Sequence, residues 1–224
     1  MSTQTIKQAK TQLRRKIASK LTSLTQKELE RQSNNVYVKL IQTPNFQTAK
    51  KVALYMSMPT SEVQTLQFIK VCFEMGKQVY LPHCHRIKDA SLKRYDAQRA
   101  MLIFYEMPDF QSVLDLKPQG QYQLLEPTSG NSLLEPEKSG NTSEKLDLLV
   151  LPGVAFTSDR YRMGHGAGFY DDFIQRHVST FGEKPHSMIG VGLKEQLVDV
   201  IPLESHDERL DAVIVDDMIF DDKL

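Results

Sequence analysis

Two cysteines, Cys72 and Cys84, are all that 224 residues carry, too few for a disulfide framework and in keeping with a reducing compartment. No stretch approaches the ~20 apolar residues of a membrane-spanning helix, so no membrane association is expected. Net charge is lacking too: 28 basic residues balance 28 acidic ones, which argues against a general nucleic-acid binder. Hydrophobic residues at 40% and charged residues at 25% exclude a disordered tail and a collagen-like repeat. They supply the core of one domain over residues 1–224. The Pro-His-Cys-His run at 82–85 sets three metal-capable side chains together but has no second ligand pair at zinc spacing, so no zinc site is read there.

The balanced charge conceals an asymmetry. Met1 to Lys27 holds seven basic residues and no acidic one, whereas Asp199 to Leu224 holds nine acidic residues against Arg209 and Lys223. Within the basic arm Ile6, Ala9, Leu13, Ile17, Leu21 and Leu24 recur at steps of three and four, an amphipathic helix. Lys10 and Arg14 lie in or beside its apolar arc, one turn apart. Two readings stand for them: stems snorkelling over the core with solvated heads, or a pair of cations waiting for a polyanion. The arm as a whole reads either as a mitochondrial transit peptide, being acid-free, or as part of a ligand site. Thr25-Gln-Lys-Glu28 spells a capping box, so a second helix starts there and is closed by Pro44.

From Lys50 the pattern alternates. Val52–Met56 predicts a strand, Val63–Met75 a helix stopped by Gly76, and Gln78–Leu81 a strand, a βαβ unit that implies a largely parallel sheet. Leu146–Leu151 is a buried strand, Asp171–Val178 a helix, and Met188–Leu193 and Leu210–Val215 strands. The fold class is α/β. Leu124-Leu-Glu-Pro-Thr-Ser-Gly-Asn131 is nearly repeated from Leu133 to Asn141, and residues 126–144 predict a flexible surface loop with the first copy alone near a site. The Asn141-Thr-Ser143 sequon is read as chance.

The densest chemistry lies between Leu148 and Asp172. Gly164, Gly166 and Gly168 alternate just before a helix begins, where glycines allow positive φ and the helix start offers unpaired N–H groups to a phosphate. Arg162 precedes them and can clamp phosphate oxygens; Asp171 follows and suits Mg²⁺. The spacing is neither a Walker loop nor a dinucleotide fingerprint. A phosphate site competes here with a tight structural turn.

The run Pro152-Gly-Val-Ala-Phe156…Arg162-Met-Gly-His-Gly-Ala-Gly-Phe-Tyr-Asp171 resembles the ATP-binding signature of the 5-formyltetrahydrofolate cyclo-ligases, in wording most like the fungal members. The resemblance covers nearly the whole chain. Ala9-Lys10-x-x-Leu13-Arg14 is similar to that family's N-terminal ATP-contacting helix. Tyr55-Met-Ser-Met58 with Glu62 resembles its folate loop, and Leu125-Glu-Pro127 its mid-chain Glu-Pro. Gly192–Gln196 and His206-Asp207…Asp211 resemble its C-terminal segments. Thr157, His165, Ala167 and Phe169 depart from the usual wording.

The resemblance implies ATP- and Mg²⁺-dependent conversion of 5-formyltetrahydrofolate to 5,10-methenyltetrahydrofolate on a single three-layer α/β domain of the kind shared with sugar-phosphate isomerases and CoA transferases. Lys10, Arg162 and Tyr170 would be catalytic. ATP would meet Lys10, Arg14, Arg162, Met163, Gly164, His165, Gly166, Ala167, Gly168, Phe169 and Tyr170. The folate would meet Met56, Glu62 and residues 165–169, and Asp171 with Asp211 would hold Mg²⁺. The expectation is a cytosolic monomer that keeps residues 1–24, with a mitochondrial location as the alternative. A phosphate-site isomerase and a non-catalytic folate binder are the competing classes.

Overall fold

The computed structural model describes residues 3–120, 123–134, 145–204 and 207–222. The sequon, His206 and the second half of the duplicated segment lie outside the described residues.

The basic arm forms helix α1 (Thr3–Leu21), as its apolar periodicity predicts. Ile17 and Leu21 are buried, and Leu13 and Leu24 pack against the same core. Helix α2 (Gln26–Gln42) starts where Thr25 Oγ1 accepts the Glu28 N–H at 3.2 Å. Only half of the capping box forms, because the Glu28 carboxylate accepts hydrogen bonds from Arg31 and Gln32 instead. Pro44 does more than end α2. With Thr43 as N-cap it opens the short helix α3 (Pro44–Thr48), a first-turn position where a missing N–H costs nothing.

A seven-stranded sheet runs through the molecule, built from β1 (Lys51–Ala53), β2 (Gln78–Arg86), β3 (Ala100–Met107), β6 (Leu148–Leu151), β9 (Ser187–Gly192), β10 (Ala212–Val215) and β11 (Met218–Asp221). Its order is β11-β10-β9-β6-β1-β2-β3. The inner pairs are parallel, and the two outermost pairs, β2 with β3 and β10 with β11, are antiparallel. Helix α4 (Leu66–Glu74) provides the βα crossover from β1 to β2. The short helix α5 (Phe110–Leu114) follows β3, with the Asp109 carboxylate accepting the Ser112 N–H as its cap.

Strand alternation sorts the core into two faces. Val52, Val79, Leu148, Val150, Ile189, Val191 and Ile214 pack with Ile17, Val36, Leu40, Phe68 and Ile69 of α1, α2 and α4. Ala53, Tyr80, Leu149, Leu151, Met188, Val213 and Val215 pack on the other face with Phe173 and Ile174 of α6 (Phe169–Phe181). The result is helix, sheet, helix in three layers. Each fully buried Leu, Ile or Val contributes about 1.5–3 kcal/mol of transfer free energy.

Two small hairpins attach to this frame: β4 (Pro118–Gln119) with β5 (Leu124–Leu125), and β7 (Ala155–Phe156) with β8 (Arg162–Met163). The described part of the duplicated segment, from the first copy into the start of the second, bonds to β3. The Leu133 N–H donates to Phe104 O, the Glu106 N–H donates to Asn131 O, and Leu133 is buried. The strand order reverses between β1 and β6, and open α/β sheets take ligands beyond the carboxyl ends of the strands at such a point.

Candidate active site

Two segments leave that switch point. Tyr55–Glu62 follows β1, and Pro152-Gly153 follows β6. The β7–β8 hairpin returns the chain to Arg162, and residues 164–168 lead into α6. Gly166 and Gly168 have φ of 102° and 67°, which residues with a Cβ rarely adopt. A Cβ on Gly166 would also lie 3.3 Å from the Arg14 guanidinium. Gly168 caps α6 without a side-chain acceptor, so the first N–H groups of that helix stay open to an anion.

Lys7, Lys10, Arg14, Pro152, Gly153, Arg162 to Asp171, Glu204 and Asp207 line one cleft. It gathers every nucleotide residue expected from the sequence. Neither Lys10 nor Arg14 simply snorkels to solvent, because both face this cleft. Arg14 Nε donates to Gly164 O at 2.9 Å across 150 residues of chain. Burial lowers its pKa, yet a guanidinium remains charged.

Arg162 Nη1 donates to Pro152 O at 3.3 Å and Nη2 to Asp171 Oδ1 at 3.1 Å. Its guanidinium carbon stands 5.4 Å from the centre of the Tyr170 ring. Lys10 Nζ donates to Glu204 Oε2 at 2.9 Å and to Asp207 Oδ2 at 2.8 Å. Burial works against the Lys10 charge, but hydrogen bonds and charges from the two acids outweigh it and raise its pKa. His165 sits on the rim, where crowding by the chain, then the charges of Arg14 and Arg162, lower its pKa. It is a neutral ring among cations at pH 7.

Tyr170 lines the cleft and also senses a more acidic neighbourhood. Burial first and the Glu62 carboxylate next push its hydroxyl well above the usual phenol range; Arg162 pulls the other way and Glu126 adds to the rise. Glu62 Oε2 accepts the Met58 N–H at 3.1 Å, and burial raises its pKa against that bond. Met56 packs against the helical core beside it. Glu126 Oε2 accepts the Cys84 N–H at 3.1 Å and lies 3.2 Å from His83 Nδ1. Thus Met56 and Glu62 do not border the cationic cleft directly; Tyr170 connects the two regions.

Asp211 is not brought to the cleft. Its Oδ2 accepts the Met188 N–H at 2.7 Å, tying the start of β10 to β9. Among the described residues no group of three or more His, Cys, Asp or Glu side chains is placed to hold a metal. No helix of the described residues is long and apolar enough to cross a membrane.

Nothing in the sequence marks Lys7 and Glu204 as cleft residues. Lys7 reads as one more basic residue of the arm, and Leu203-Glu-Ser205 carries no sign of a Lys10 partner 194 residues away. Thr157 supports the β7–β8 turn, where its Oγ1 accepts the Tyr161 N–H at 3.1 Å. Gln196, in the short 3₁₀ turn Lys194–Gln196, donates from Nε2 to Gly153 O at 2.6 Å and so fixes a cleft wall.

The model of the 5-formyltetrahydrofolate cyclo-ligase family matches residues 6–216. This chain belongs to that family. It is 42% identical over 172 residues to the 5-formyltetrahydrofolate cyclo-ligase of Saccharomyces cerevisiae, covering 75% of this chain and 77% of the relative. It is 32% identical over 221 residues to the probable 5-formyltetrahydrofolate cyclo-ligase of Caenorhabditis elegans, covering 96% and 98%. The fold is that of the Aquifex aeolicus 5,10-methenyltetrahydrofolate synthetase, solved by NMR, with a TM-score of 0.68, 23% identity and coverage of 96% and 93%. The cyclo-ligase family read from the motif stands.

Proposed function

We propose that this cyclo-ligase couples ATP to closure of the 5,10-ring of 5-formyltetrahydrofolate, giving 5,10-methenyltetrahydrofolate, ADP and phosphate. The observation that carries the reading is the meeting of Arg14, from the first helix, with the glycine loop and Arg162 in one cleft. A phosphate site on the loop alone would not need the far end of the chain.

The formyl oxygen is a poor leaving group. It attacks the γ-phosphorus and ADP departs, which leaves an iminium phosphate. N10 then attacks the formyl carbon and loses its proton, and phosphate leaves with the former formyl oxygen. The protein's contribution is positioning and charge stabilisation. Arg14 and Arg162 bind the polyphosphate, and Lys10 joins them once it leaves its acids. The N–H groups around Gly168 receive phosphate oxygens, residues 163–170 surround the nucleotide, and Tyr170 holds Arg162 by its ring face. Glu62 accepts from N–H donors of the pterin, with Met56 against its apolar face.

Asp171 suits Mg²⁺: a hard-oxygen donor in the first turn of α6, with Oδ1 already oriented by Arg162. Bound there with the phosphates, the ion supplies charge neutralisation. Asp211 is not assigned to it. Residues 1–24 stay on the working enzyme, which we place in the cytosol. The test follows the methenyl absorbance with folate, ATP and Mg²⁺, omitting each in turn. Product is expected only with all three; folate binding without the chromophore would overturn the reading.

A further inference from the structure

The connection between β2 and β3 has no part in the mechanism above, yet it reaches the glycine loop. Tyr95, on this connection, donates from its hydroxyl to Ala167 O at 3.2 Å. Its neighbour Arg94 places Nε 3.6 Å from Asp172 Oδ1. Asp172 is buried in the first turn of α6, and that oxygen accepts no hydrogen bond. The turn that carries both is itself secured: the buried Gln98 accepts the Arg94 N–H through Oε1 at 2.8 Å, and its own N–H donates to Tyr95 O at 3.0 Å. Tyr95 is thus held out at a fixed place over the loop.

What the hydroxyl controls is a peptide plane. A trans peptide points its C=O and N–H to opposite sides. Ala167 and Gly168 line the cleft, whereas Tyr95 does not, so tying Ala167 O to Tyr95 turns the Gly168 N–H inward. Nothing in the peptide itself keeps it so, because glycine accepts either sign of φ at little cost, and Gly168 sits at 67°. A flip would replace a donor by a carbonyl oxygen where an anion must bind. Donors fixed before the ligand arrives need no reorganisation when charge develops. The hydroxyl stays a donor: burial, then Asp172 and Asp171, raise its pKa.

We infer that Tyr95 is a positioning residue of this enzyme, which pins the Ala167–Gly168 peptide so that the Gly168 N–H faces the polyphosphate. This rests on the cleft being the ATP site.

Tyr95→Phe removes the hydroxyl alone from a half-exposed ring. Calorimetric titration with a non-hydrolysable ATP analogue plus Mg²⁺, and separately with inorganic tripolyphosphate, compares wild type, Tyr95→Phe and Arg162→Gln. Tyr95→Phe is expected to weaken both ligands by about fivefold, the worth of one hydrogen bond. It should raise the ATP KM alike and leave the folate KM and the melting temperature unchanged. Wild-type affinity in Tyr95→Phe beside lost affinity in Arg162→Gln overturns the role of Tyr95 and keeps the ATP site. Equal rises in both KM values also overturn it, since a prop for the whole cleft would act on both substrates. Wild-type affinity in Arg162→Gln would instead remove the ATP-site reading beneath it.

Discussion

Arg162 and Asp171 are bonded to each other, Nη2 to Oδ1 at 3.1 Å, across the glycine loop that separates them. The bond parks the cation that suits phosphate on the carboxylate that suits a metal ion. On the proposed reading, loading the site with nucleotide and Mg²⁺ would exchange this one ion pair for two, Arg162 with phosphate and Asp171 with the metal ion.

Asp171→Asn separates these effects. It should lower Mg²⁺-supported turnover by about 10²-fold, the scale for losing one fixed charge-stabilising group, with the melting temperature nearly unchanged. Because Arg162 is released, ATP binding without Mg²⁺ should tighten. Turnover at the wild-type rate under limiting Mg²⁺ would remove Asp171 from the metal site.

Lys10 is buried between two carboxylates, and Lys10→Met would take that cation from Glu204 and Asp207. A buried polar group that loses its partner costs about 1–3 kcal/mol, so the melting temperature should fall by a few degrees. The ATP KM should rise by tenfold or more on the order of a lost charge-assisted bond, with a smaller change in folate KM. Deleting residues 2–15 should abolish ATP-dependent turnover. Sequencing the amino terminus of active enzyme checks the same point, and a start beyond Arg14 would refute it.

Glu62 gives a pH-dependent outcome. Burial raises its carboxyl pKa in the folded state, so the protonated form is favoured by folding. Its contribution is present at acid pH and lost as pH rises through the folded value. Glu62→Gln stays neutral and keeps an oxygen for the Met58 N–H. It should therefore melt higher than wild type at pH 7, and the gap should close below the ordinary glutamate pKa of about 4.3. The folate KM should rise while the ATP KM holds. A gap independent of pH would mean that Glu62 ionises normally.

The two thiols should differ. Cys72 is buried in α4, and that burial pushes its pKa up to about 12. Cys84 is partly exposed, and burial, then Glu126, raise its pKa as well. Thiolate is the reactive form, so a thiol reagent at pH 8 should modify native protein slowly at Cys84 and reach Cys72 only in denaturant. Fast labelling of Cys72 in the folded enzyme would contradict the packing of α4.

Local pattern makes the parallel centre legible. Leu148–Leu151 reads as a buried strand because both its faces are covered, and Ile17 and Leu21 read as buried because a helix repeats every 3.6 residues. β3 carries a comparable apolar run, Met-Leu-Ile-Phe-Tyr at 101–105, but it lies outside the βαβ rhythm because it pairs antiparallel with β2 at the sheet edge. The apolar run at 52–56 overstates β1, because Leu54 and Tyr55 stay buried after the ladder ends. In the site, Arg162 to Asp171 announce themselves by glycine spacing. The acids on Lys10 and the pin at Tyr95 are set by contacts distant in sequence, which leave no local trace.

The Lys10 bonds close loops of 194 and 197 residues, and the Arg14 bond closes one of 150. On a ribosome, the first helix waits through almost the whole of synthesis for the partners that complete the cleft. Such distant pairings pay their closure entropy before any contact rewards it. A chain cut short of Glu204 would lack the carboxylates that hold Lys10 in place. On the proposed reading, a ligand that binds only the completed cleft would stabilise full-length copies over truncated ones by mass action.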